Sequence, residues 1–368
     1  MKKINKFIPQ MEPWYGKEEK KAIAGYLNSG GWIMEFKKTR ELEEMIAEYA
    51  GVKYCSILPN GTLTLWAALA VLGIGRGDEV IVPDYTMVAT PNAVVLAGAK
   101  PVFVDIERET LCLDCELTER AISRKTRAIM LVTINGRYPK IEKFVQLAKK
   151  RNLYLIEDAA QSFGSTYKNK HLGTFGIIGS YSFSMPKIIT FGQGGALVTD
   201  DKKLYQRLLQ FRDFGRPSGG SDDYQILGFN LKFSDLQAVF GIEQMKKISW
   251  RIKRKKEIYK LYRENLKHIK EIEFIPTNLE NTSPWFIDIL VPDPDGLALY
   301  LKKNNIGSRR FYPTLHNLPF YKITGEFNNS IYVSKHGLWL PSSSKLTDQE
   351  IKYICQNIKD FYQLPQNK

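Results

Sequence analysis

The chain is poor in the residues on which small secreted and metal-bound proteins depend. Only four cysteines occur in 368 residues, Cys55, Cys112, Cys115 and Cys355. They are too few and too scattered for a disulfide framework, so a reducing compartment is expected. Cys112 and Cys115 have the spacing of metal ligands, but no second Cys or His pair stands at a matching interval, and no metal is expected. A run of about 18 apolar residues is also missing, which excludes a bilayer-spanning helix. The segment from Met1 to Ile8 lacks the apolar centre and small-residue cleavage site of a signal peptide, so the expected location is cytoplasmic. Acidic residues are outnumbered, 39 Asp and Glu against 53 Lys and Arg, for a net charge of +14. That excess suits an anionic partner or a tolerant surface. No nucleic-acid-binding module accompanies it, so nucleic acid is not expected, and a phosphorylated small substrate needs only a few such charges.

What the chain does have is an alternation of short apolar runs with helix-length segments. Glu79–Val82, Pro101–Asp105, Ala128–Val132 and Leu153–Ile156 read as strands of a mainly parallel sheet covered on both faces, an α/β fold. Helices are expected over residues 17–27 and over 40–49, the latter stopped by Gly51. Near residue 250 the texture changes to a long basic helical stretch whose Ile248, Ile252 and Ile258 suggest a packed helix with a solvated cationic face. The length leaves room for about two domains, and residues 1–16 read as an extended arm.

The chemistry gathers around Gly179-Ser-Tyr-Ser-Phe-Ser-Met-Pro-Lys187, which is followed by the glycine cluster Gly192-Gln-Gly-Gly195 and a second apolar run. A strand that delivers one lysine just after a proline can set it in a walled pocket. About thirty residues upstream, Leu153-Tyr-Leu-Ile-Glu-Asp158 ends a strand on an acidic pair. Asp158 then sits at the carboxyl end of a parallel strand, where open α/β sheets place ligands, or it caps a following helix. Asn60-Gly61-Thr62 lies between a strand-like run and a helix. Together these parts suit pyridoxal phosphate: a lysine for a Schiff base, a carboxylate for the pyridine nitrogen, and a helix N-terminus for the phosphate.

The motifs EDAAQSFG, YSFSMPK with GQGG after it, NGT at 60 and GFNLKFSDLQAVFGIEQM at 228–245 make the chain resemble the DegT-type sugar aminotransferases, of fold type I of the pyridoxal phosphate enzymes. The resemblance runs from Trp14-Tyr-Gly16 through Arg310-Phe-Tyr-Pro-Thr-Leu-His316 to Gly337-Leu-Trp-Leu-Pro341. It implies a seven-stranded large domain over residues 1–245, arm included, a smaller α+β C-terminal domain over residues 246–368, and a homodimer with active sites built from both subunits. It implies Lys187 as the catalytic lysine, and Gly61, Thr62, Met87, Asp158, Gln161, Ser182 and Asn230 around the cofactor. Asn230 would serve the neighbouring subunit. Lys232, Arg310, Tyr312 and His316 are the implied substrate contacts, although His316 equally suits a core or surface position.

Two departures from the family pattern stand out. Where relatives carry an aromatic residue over the cofactor ring this chain has Met87, so either that thioether or Tyr85 covers it. Lys232 replaces an arginine, keeping charge but losing a bidentate grip. The function implied is transfer of an amino group from L-glutamate, through pyridoxamine phosphate, to a keto sugar on a nucleotide diphosphate, with a 4-keto-6-deoxy sugar favoured. A dehydratase of the same cofactor is disfavoured by Lys187, because dehydrating relatives carry His there. A non-catalytic regulatory protein is disfavoured by the intact Lys187, Asp158 and Gln161.

Overall fold

The computed structural model describes residues 4–363, and its centre is a seven-stranded sheet. In chain order the strands are β1 (Tyr54–Leu58), β2 (Glu79–Pro83), β3 (Lys100–Val104), β4 (Thr126–Val132), β5 (Tyr154–Asp158), β6 (Ile178–Ser182) and β7 (Gly195–Thr199). In space they run β1-β7-β6-β5-β4-β2-β3. All neighbours from β3 to β6 are parallel, while β7 is antiparallel to both β6 and β1.

Alternate strand residues feed opposite cores. Val80, Val82, Met130 and Ile156 pack with Leu65 and Leu69 on one face, while Ile81, Ile129, Leu131 and Leu155 pack with Phe144 and Leu147 on the other. Because both faces are covered, these strands read as continuous apolar runs without polar alternation. Gly51 ends the helix Lys37–Ala50 in a left-handed conformation, φ 70°, that a side chain with Cβ disfavours.

Beyond residue 266, four short strands form an antiparallel sheet with Ile287–Leu290 and Gly337–Leu340 at its centre, flanked by Glu273–Phe274 and Arg309–Arg310. Ile258, Tyr262, Leu297, Leu301, Ile354 and Ile358 of three helices cover it.

Two features differ from the sequence reading. The arm expected to belong with residues 1–245 instead buries Ile8 in this second core, in a parallel bridge to Ile306. A single bridging residue leaves no strand-length pattern to read; residues 1–3 of the arm lie outside the described residues. The basic helix, Ile248–Leu266, buries two of its cations alongside Ile248, Ile258 and Tyr262. Arg251 donates to the Trp14 carbonyl at 2.5 Å and Lys255 to the Ser342 carbonyl at 2.5 Å. Long stems pack with the apolar residues while each head group finds a backbone acceptor.

Candidate active site

Asp158 is the last residue of β5, in register with Val132 of β4 and Ser180 of β6. Its side chain is buried; one oxygen accepts from the Thr90 hydroxyl at 2.8 Å and the other from the Ala160 N–H at 3.2 Å. Turns, and no helix, follow it. Burial raises the carboxyl pKa, while those two bonds and the charge of Lys187 oppose the rise.

Lys187 stands in the turn after β6, where its N–H donates to the Ser184 carbonyl at 3.1 Å. The residue keeps a partly exposed surface, but its amine lies 4.0 Å from the centroid of the Trp285 ring. Trp285 is itself tied to the turn, because its indole N–H donates to the Pro186 carbonyl at 2.7 Å. Burial pulls the Lys187 amine down to about 8; Asp158 pulls it up, and the positive charge of Arg309 adds to the lowering. A substantial neutral fraction near neutrality is what a lysine nucleophile requires.

A cleft of about 590 Å³ is lined by Asp158, Gln161, Ser182, Lys187 and Met87 together with Gly61 and Thr62. The Asn60 side chain accepts from the Leu63 N–H at 3.0 Å, and the Asn60 carbonyl takes the Thr64 N–H at 3.1 Å. Gly61 and Thr62 begin the helix Gly61–Val71, so their N–H groups have no intrahelical acceptor. They line the cleft at the positive end of a helix, where an anion is favoured. Close approach makes that corner: a Cβ on Gly195 would come within 2.6 Å of the Asn60 carbonyl carbon, and one on Gly61 within 3.0 Å of Ser182 Cβ.

Gln161 lines the cleft through an Asn135 clamp. Its Oε1 accepts from the Asn135 N–H at 2.9 Å, while the Asn135 amide donates to the Phe286 carbonyl at 2.9 Å and accepts from the Phe286 N–H at 2.6 Å. That pairing takes up the Phe286 backbone just before the strand Ile287–Leu290 and holds the Trp285 segment against the site. Sequence reasoning missed Thr90, Asn135 and Trp285 as site residues. Asn135-Gly136 carried a turn signal; Thr90 carried none.

Met87, not Tyr85, lines the cleft, since Tyr85 is buried against Phe311 and Tyr312. The four expected substrate contacts are not brought together. His316 is buried, its Nδ1 2.7 Å from Asp84 and its ring stacked on Phe327. Arg310 is turned away: its guanidinium donates to the Lys335 carbonyl at 2.7 Å and the Ser334 carbonyl at 3.3 Å, and Asp295 lies 3.4 Å off. Successive strand residues point to opposite faces, so the cation directed toward Tyr312 and Trp339 is Arg309. Tyr312 is buried edge-on against Trp339. Lys232 pairs with Asp213 at 2.7 Å, and the exposed Asn230 forms an antiparallel bridge to the same Asp213. Neither Lys232 nor Asn230 lines the cleft of its own chain.

This arrangement fits pyridoxal phosphate: one cleft is lined by an amine of lowered pKa, a buried carboxylate at a strand end, and the first residues of a helix whose N–H groups lack intrahelical acceptors. The sequence profile of the DegT/DnrJ/EryC1/StrS aminotransferase family matches residues 13–359. The chain belongs to this family. Over 97% of its length it is 35% identical to the GDP-perosamine synthase of Escherichia coli O157:H7, of which 99% is covered. The GDP-perosamine synthase of Vibrio cholerae is 34% identical, over 96% of this chain and 99% of that one. Among solved structures, Spr1654 from Streptococcus pneumoniae, a candidate sugar aminotransferase, superposes with a TM-score of 0.91 at 27% identity, covering 97% of this chain and 98% of that one. It has been solved in both pyridoxal and pyridoxamine phosphate forms. The protein is an aminotransferase whose cofactor is pyridoxal phosphate.

Proposed function

We propose that the enzyme transfers the amino group of L-glutamate to a keto sugar carried on a nucleoside diphosphate, with a 4-keto-6-deoxy sugar as acceptor, for a surface polysaccharide or glycan. The observation that carries this reading is the pairing of Lys187 and Asp158 across one cleft within a chain of this family. The relatives named GDP-perosamine synthase support a guanosine diphosphate carrier.

Bound, pyridoxal phosphate supplies an electron-withdrawing ring and a carbon that carries the amino group from donor to acceptor. Lys187 would hold the cofactor between cycles, and its amine, once released, would serve as the acid and base that moves the proton. Asp158, held by Thr90 and Ala160, keeps the ring nitrogen protonated. Gln161 and Met87, which line the cleft, would help to hold the ring. The Gly61 and Thr62 N–H groups, the Thr62 hydroxyl and Ser182 hold the phosphate. Asn230, exposed and away from its own cleft, reaches the phosphate of the neighbouring subunit in a homodimer. Apart from the arm, whose Ile8 packs in the second core, residues 1–245 form the cofactor domain, and residues 246–368 form the smaller one.

The test is to incubate the pyridoxamine form with a panel of nucleotide-linked keto sugars and to look by mass spectrometry for the amino sugar. An amino sugar from a GDP-linked 4-keto-6-deoxy acceptor is the expected product. No product from any member of the panel would overturn the assignment.

A further inference from the structure

Arg309 is the one arginine of the Arg309–Arg310 strand left without a polar partner. Its side chain is exposed and forms no hydrogen bond or ion pair with any described residue, whereas Arg310 is engaged by two carbonyls and Asp295. The Arg309 guanidinium is 5.6 Å from the centroid of Tyr312 and 5.4 Å from that of Trp339. Trp339 in turn lies 6.3 Å from Trp285, the ring that covers the Lys187 amine. A continuous aromatic wall therefore runs from the nucleophilic amine to an unpaired guanidinium.

Such a wall limits what can be bound. Cation–π contact with two rings restrains the guanidinium while its N–H groups stay unpaired among the described residues, available to a bidentate carboxylate or phosphate. Trp339 links the Arg309 guanidinium to Trp285, whose ring faces the Lys187 amine, so the anion that the guanidinium receives lies along the wall that leads to that amine. In an amino-acid donor the carboxylate is one bond from the reacting carbon. In a 4-keto sugar nucleotide the diphosphate hangs from the opposite side of the ring. The nearer anion is the carboxylate.

We propose that Arg309 anchors a carboxylate of the amino donor and so selects for the donor half of the reaction. This rests on the aminotransferase reading above. Loss of the side chain should then weaken the donor half-reaction and spare the acceptor half-reaction, although both use one cleft.

The two half-reactions are measured separately by the change in visible absorbance, for wild type, Arg309→Ala and Arg309→Lys. Glutarate, which has the carboxylates of glutamate but no amine, serves as an unreactive competitor. A charge-assisted contact of this kind predicts that Arg309→Ala needs about tenfold more glutamate, or beyond, for half-maximal conversion. Its response to a GDP-linked keto sugar should change by less than about threefold, and Arg309→Lys should recover part of the loss. Glutarate should inhibit wild type and fail to inhibit Arg309→Ala at the same concentration. Unchanged glutamate dependence in Arg309→Ala overturns the proposal, as does a loss confined to the acceptor half, which would assign Arg309 to the diphosphate. If wild type itself converts with no amino donor, the aminotransferase reading fails first, so the two failures are distinguishable.

Discussion

At the scale of single residues, the site depends on two groups whose proton affinities burial shifts, the Lys187 amine downward and the Asp158 carboxyl upward. The Lys187 amine, lowered to about 8, is protonated below that pH, so covalent capture of added cofactor by the apoenzyme should quicken as pH rises through about 8. A rate flat across that pH range, read from growth of the visible band, would contradict the assignment. Asp158 can be separated from its structural role by Asp158→Asn. The amide oxygen still accepts from the Ala160 N–H, and the Thr90 hydroxyl can turn to accept from the amide nitrogen, so melting should stay near wild type. Transamination should fall by about 100-fold or more, since the charge that holds the ring proton is gone. Comparable turnover in the variant would leave Asp158 as a turn-stabilising residue only. Both groups were legible in the sequence because each follows a strand-like run. Trp285 was not, because an indole at a strand start reads as core.

At the scale of elements, the strands and most helices were readable from periodicity, and what escaped was contact between distant segments. Ile8 in the second core, the Asn135 clamp on Phe286 and the turn of Arg309 rather than Arg310 toward Tyr312 all depend on register between pieces far apart in sequence. The helix Ile248–Leu266 shows the same limit, since charge alone assigned Lys255 to solvent. Burial lowers its amine to about 7 from an ordinary 10.5, with Arg251 adding to the shift. Between those values the unfolded chain binds the extra proton, so this residue makes stability rise with pH across the window. Lys255→Met should therefore be at least as stable as wild type near pH 7, and its advantage should shrink as pH rises toward about 10. A stability difference independent of pH in denaturant titrations would show that the amine is charged inside. The corner at Gly195 is tested by Gly195→Ala, whose Cβ collides with backbone of Asn60; about 1–3 kcal/mol of destabilisation and weaker cofactor retention are expected.

At the scale of the whole molecule, the proposed dimer divides each site between two chains. Lys187 lines the cleft of its own chain while Asn230 is exposed outside it, and a second, largely apolar cleft of about 590 Å³ lies nearby, among Tyr15, Met185, Phe191, Leu236 and Phe240. Mixing Lys187→Ala with Asn230→Ala under conditions of subunit exchange should restore activity to roughly a quarter of wild type, because half the dimers are mixed and one of their two sites is intact. Confirmed exchange without recovery would place Asn230 in its own chain's chemistry. The central claim, a lysine-bound cofactor that takes an amino group from a donor, is tested most directly by the visible spectrum of the purified protein. Wild type should be yellow, glutamate should convert its band to that of the pyridoxamine form, and Lys187→Ala should not form the lysine-bound band. A wild-type protein that shows no bound cofactor even after addition of pyridoxal phosphate would contradict the account.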